Sequence, residues 1–157
     1  LLVLVATVQS ALAPYLHFNH VHPNFILVVV LAWSFVKDIK EVFFWAFWGG
    51  FMLDMLADVP FGVFTLSLII TAGLANFWQN RYTGHLLLPI LLALPYTILF
   101  NLFVLIYMQW VGYAIDWRSV IIRIVFPEAM INIILMALVL PLLIWVNKFT
   151  QKDELTI

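Results

Sequence analysis

Three groups of residues in this chain are of types that can do chemistry, and two of them lie inside strongly apolar sequence. Asp54 belongs to the stretch WGGFMLDMLADVPFG, behind two glycines and ahead of a turn that holds Asp58, Pro60 and Gly62. Arg123, Glu128 and Asn132 form a second polar group. His17, His20 and His22 form a third, just before Pro23 and Asn24. A carboxylate in an apolar run can relay protons or ions, hold a packing partner, or sit solvated near a helix end. A histidine tract can bind metal, but a closed zinc site wants four ligands, and no carboxylate or cysteine stands near this one. Neither a metal nor a cofactor is expected. Ser10, Ser34, Ser67 and Ser119 have no local histidine and acid beside them, and the chain has no glycine-rich phosphate loop. Catalysis is therefore not expected either.

Spacing sharpens the reading of Asp54. Ala46, Gly50 and Asp54 recur every four residues, so on a helix they form one stripe. Small residues four apart let two backbones approach closely in lipid. The stripe is expected to meet a partner helix, either another protein's or that of a second copy of this chain. Pro23 and Asn24, and again Asp58, Pro60 and Gly62, read as structural turns. Glu128 and Asn132 share a helix face, which Arg123 does not share on a straight helix. Glu128 either pairs with a basic group on another helix or is exposed at the membrane surface.

The elements that must position these residues follow from composition. Of 157 residues, 66% are hydrophobic and only 10% charged. A soluble domain carries about 25% charged residues. The chain is an integral membrane protein, and its seven scattered basic residues give no patch for nucleic acid. It has no cysteine, so disulfides and thiolate sites are excluded. A membrane helix needs about 20 apolar residues. Six segments qualify or nearly so: residues 1–16, 23–36, 42–57, 61–78, 86–110 and 127–145. The first opens at Leu1 already inside an apolar run and reads as a span lacking its start. The second and third are short, and the lysines of the intervening KDIKE can snorkel to the interface. Residues 118–126, with two arginines, read as an interfacial segment, and Pro127 as the first turn of the last span. The expected fold is a single all-α transmembrane domain over residues 1–157.

Six spans put Lys37, Lys40, Arg81, Lys148 and Lys152 on one side and Arg118 and Arg123 on the other. The positive-inside rule then places both termini in the cytoplasm. Trp33, Trp45, Trp78, Trp110, Trp117 and Trp145 fall near predicted span ends, as an aromatic belt should.

From Pro23 to Tyr82 the chain resembles the MreD family of rod shape-determining proteins. The resemblance lies in a Pro-Asn pair opening the second span, a glycine-rich third span ending in a Leu-Asp-Leu-like element, and a Pro-Leu-Gly-like turn. Pro23, Asn24, Gly50, Asp54, Pro60 and Gly62 stand at those places, and Phe61 departs where leucine is usual. The C-terminal half matches in hydrophobicity and in a proline late in the last span, Pro141. The resemblance implies a non-enzymatic scaffold subunit of the bacterial cell-elongation machinery in the cytoplasmic membrane. It implies an MreC-like bitopic membrane partner, and through it MreB-like filaments and the peptidoglycan polymerase and transpeptidase. The fold it implies is similar to the six-helix substrate-binding subunits of energy-coupling-factor vitamin transporters. Such a vitamin-binding subunit is the alternative function, but residues 1–16 lack the Ala-x-x-x-Ala coupling pair it would need.

Overall fold

A computed structural model of the protein describes residues 23–57, 59–77 and 86–153, and all the regular structure among them is helical. The elements are α1 (Phe25–Ser34), α2 (Ile39–Leu56), α3 (Val63–Phe77), α4 (Leu87–Trp110), α5 (Trp117–Val120) and α6 (Phe126–Asp153). A π-turn, Ile121–Val125, joins α5 to α6 without a break. The expected first span, residues 1–16, lies outside the described residues.

Two helices are long and apolar enough to cross a membrane: Leu87–Trp110, with 24 residues, and Trp117–Lys148, with 32. At about 1.5 Å per residue the shorter reaches roughly 36 Å, enough for a hydrocarbon core of about 30 Å. Their outer faces carry Leu91, Ile106, Ile134, Leu138 and Leu142, all exposed. Exposed aliphatic rows of this length suit lipid as the surrounding solvent. The chain is a helical membrane protein.

α1 runs through the centre. Nearly every residue of FILVVVLAWS is buried, and it packs against α2, α3, α4 and α6. A helix apolar on all sides has no solvent face to present, so it belongs inside a bundle. It has only ten residues, shorter than the expected 23–36. Polar groups stop it at both ends. The Asn24 side chain accepts from the Leu27 amide at 3.0 Å at its start. At its end, the Asn76 side chain on α3 donates to the carbonyls of Ser34 and Lys37 at 2.8 and 2.9 Å. Phe64 on α3 and Phe100 on α4 stack with centroids 6.1 Å apart, locking the two helices beside α1.

The last span differs from expectation for a local reason. Residues 118–126 are not a separate interfacial piece, because the helix runs on through Pro127. An internal proline clashes with the carbonyl four residues back and lacks its own N–H. Here the Phe126 amide bonds the Ile121 carbonyl, five residues back, so the turn just before Pro127 is widened. Local π-adjustment of this kind lets proline sit inside membrane helices. At the far end of α4 the chain turns on Gly112, whose φ is +107°. The Tyr113 amide reaches back to the Met108 carbonyl at 3.1 Å, closing a Schellman cap.

Candidate functional site

The hairpin of α2 and α3 is the most closely packed pair of elements, and its glycines set the approach. A methyl group on Gly50 would lie 2.8 Å from the Thr65 amide nitrogen, 3.1 Å from the Phe64 carbonyl oxygen and closer still to the Thr65 Cα. Backbone therefore meets backbone there, which only glycine permits. Gly49 faces a different neighbour: a methyl on it would come within 2.9 Å of Ile26 Cγ2 on α1. Gly50 thus admits the backbone of α3, while Gly49 makes room for side chains of both α1 and α3.

Asp54 sits one turn beyond Gly50 and is 4% exposed. Its carboxylate accepts from the Phe64 amide at 2.9 Å, from the Thr65 amide at 3.1 Å and from the Thr65 hydroxyl. These amides belong to the first turn of α3, where helix N–H groups have no intrahelical partner. Asn, Asp or Ser just ahead of the helix would ordinarily supply the acceptor. That place holds Gly62, whose φ of +98° suits the turn and which has no side chain to offer. Asp54 supplies the cap from the preceding helix instead. The Val63 amide completes the turn by donating to the Pro60 carbonyl at 3.4 Å. Asp58 lies outside the described residues.

This geometry corrects the expectation that the Ala46, Gly50 and Asp54 stripe meets another protein. All three residues are buried inside the chain, with α3 packed over Gly50 and bonded to Asp54. The small-residue stripe is consumed by the chain's own next helix.

The second polar group is also turned inward, with a membership that spacing did not predict. The Asn24 amide donates to Asn132 Oδ1 at 3.3 Å, and Asn132 Nδ2 donates to Thr97 Oγ1 at 3.4 Å. One turn along α4, Asn101 Nδ2 donates to the Thr97 carbonyl at 3.0 Å and to Glu128 Oε2 at 3.2 Å. Asn24, Thr97, Asn101, Glu128 and Asn132 therefore tie α1, α4 and α6 together. Glu128 is 7% exposed, so it is not a surface carboxylate, and the group it meets on another helix is an amide rather than a base. Arg123 takes no part and is exposed. Neither Thr97 nor Asn101 was placed in a polar site from the sequence, although their four-residue spacing marks one polar face on a helix that also holds Pro89 and Pro95.

Polar groups spent on holding helices leave the outward surface to apolar residues. On α2 that surface is aromatic. Phe44 is 59% exposed, Phe47 46% and Trp48 42%. Trp48 contacts Phe44, Phe47 and Phe51 with centroids 6.3, 5.7 and 5.9 Å away, and Phe51 reaches Phe61 in the turn at 5.5 Å. The row runs from α2 into the α2–α3 turn. Trp48 was the one tryptophan outside the predicted belt, a signal the sequence already held.

Among the described residues no three histidine, cysteine or acidic side chains gather where a metal could bind. His17, His20 and His22 lie outside the described residues. The family model for the rod shape-determining protein MreD matches residues 1–153, nearly the whole chain. The chain belongs to the MreD family. Its members are shape-determining membrane proteins of the MreBCD system. No curated protein and no solved structure matches the chain. The vitamin-transporter alternative has no support, and the expected likeness to vitamin-binding subunits has no structural match behind it. In this chain the Asp54–Gly62 element has a plain physical meaning: the aspartate caps a helix whose own entry residue, a glycine, has no side chain to do so.

Proposed function

We propose that this MreD-family chain is a multi-pass scaffold of the bacterial cytoplasmic membrane that binds an MreC-like bitopic protein. It crosses the membrane six times with both termini in the cytoplasm, and works without catalysis. Through its partner it reaches MreB-like filaments and the peptidoglycan polymerase and transpeptidase, and helps organise wall synthesis. One observation supports the placement of that contact: the exposed aromatic row of Phe44, Phe47 and Trp48 along α2. Aromatic side chains facing lipid gather at the two membrane–water interfaces. Trp48 stands midway along α2, away from both ends. Protein contacts, by contrast, concentrate their energy in tryptophan and other aromatic anchors. A single partner helix laid along this row is the arrangement we favour over a homodimer, because a bitopic partner offers one helix for one row.

The test is co-purification from bacterial membranes. Phe47→Ala with Trp48→Ala should reduce recovery of the MreC-like partner while the folded yield of the chain stays unchanged. The same pair should fail to restore rod shape to cells that lack the protein and have turned round. Full recovery of the partner by the double variant would place the contact elsewhere.

A further inference from the structure

The start of the last membrane helix carries two arginines that the polar network leaves aside. Arg118 and Arg123 are both exposed, and the described residues contain one side-chain ion pair, Lys37 with Glu41, which involves neither. Their surroundings fix their depth. Trp110 is exposed at the end of α4 and Trp117 opens α5, and tryptophans of this kind mark the headgroup level. Arg118 follows directly. Arg123 lies five residues further, about 7.5 Å along the axis. Ile121, Ile122, Ile124 and Phe126 around it are exposed, as acyl-facing residues are.

The π-turn matters here. Residues five apart on an α-helix stand about 140° apart around the axis. The widened turn Ile121–Val125 puts more residues into one turn and so draws Arg123 back toward the side of Arg118. Asp116 is the acidic group close enough to feel the charge of Arg123. Its carboxylate is already engaged as the helix cap, accepting from the Ser119 amide at 3.4 Å. The local balance stays positive by one charge.

We propose that Arg118 and Arg123 bind the phosphate of an anionic phospholipid headgroup, with Ile122 and Phe126 lying along its acyl chains. Guanidinium is the side chain suited to this, because its planar fork donates in pairs to phosphate oxygens. The long arginine stems can lie along apolar surface while their heads stay at the interface. The proposal concerns a different helix from the aromatic row and stands independently of it.

Native mass spectrometry of the purified full-length chain, released from nanodiscs that mix phosphatidylglycerol and phosphatidylcholine, reads the preference directly. The wild-type chain should retain phosphatidylglycerol over phosphatidylcholine. Arg118→Gln and Arg123→Gln should each lower that preference roughly fivefold, the expected weight of one basic residue at an anionic surface. Lys40→Gln with Lys148→Gln should leave it intact. An unchanged preference in both single variants overturns the proposal, as does its loss in the lysine pair instead. Inorganic phosphate titrated into the detergent-purified chain separates a headgroup from a free anion: specific phosphate adducts that need both arginines would overturn the lipid assignment.

Discussion

Asp54 and Thr65 stand eleven residues apart, yet one carboxylate oxygen accepts both the amide and the hydroxyl of Thr65. The other accepts the Phe64 amide. One side chain at the end of α2 therefore completes the beginning of α3, and the pair of helices closes on itself.

Asp54→Ala should destabilise the chain by about 2–3 kcal/mol, since it leaves buried donors in the first turn of α3 without an acceptor. Asp54→Asn keeps one acceptor oxygen and should lose about half as much. Thr65→Val removes only the hydroxyl donor and should cost about 1 kcal/mol. Thermal unfolding in detergent, followed by circular dichroism, ranks the three. An Asp54→Ala protein as stable as wild type would refute the capping role.

Gly50→Ala should be more damaging than Gly49→Ala. The added methyl at Gly50 meets the Thr65 backbone, which cannot move alone, whereas at Gly49 it meets a side-chain methyl, Ile26 Cγ2, which can shift without moving a helix. Overpacking of this sort costs about 1–3 kcal/mol, with the Gly50 variant at the upper end. Yield of monodisperse protein on size-exclusion chromatography shows the order, and a reversed order would contradict the backbone contact.

Gly62→Ala tests a different term. A methyl there touches nothing, but the backbone φ is +98°. The penalty is conformational alone, about 1–2 kcal/mol. Gly62→Asn should recover part of it, because asparagine tolerates this region better. Equal melting temperatures for all three proteins would argue against the turn.

Asn132→Leu should cost about 1 kcal/mol, the scale of hydrogen bonds between membrane helices. Asn101→Leu should cost a similar amount through Glu128. The two losses should combine less than additively if Thr97 links them, since Asn101 and Asn132 both bond it. A double-mutant cycle on unfolding free energy decides, and strict additivity would show two separate contacts.

The membrane class, the approximate extents of most of the described helices and the turn at Gly62 were all legible from apolar run length and glycine placement. The π-turn was not. Pro127 in sequence looks like a helix start, and only the Phe126-to-Ile121 bond shows how the helix takes proline in its stride. The importance of Gly50 and Asp54 was visible in their spacing, but not the destination of the stripe. A small-residue face reads alike whether its neighbour is the next helix or another protein. Glu128 was harder still, because its acceptor role depends on Asn101, 27 residues earlier and on another helix.

On the six-span arrangement proposed above, in which α2 and α3 both cross the bilayer, the Asp54 cap also bears on how the chain enters the membrane. A lone α2 leaving the translocation channel would carry an unshielded carboxylate into lipid, at a penalty of up to about 2.5–3.5 kcal/mol near the bilayer centre. With α3 beside it, the same carboxylate is already bonded to three donors. The two helices are therefore suited to exit as a closed pair. In an insertion assay, α2 with α3 attached should integrate more completely than α2 alone, and Asp54→Leu should abolish that difference.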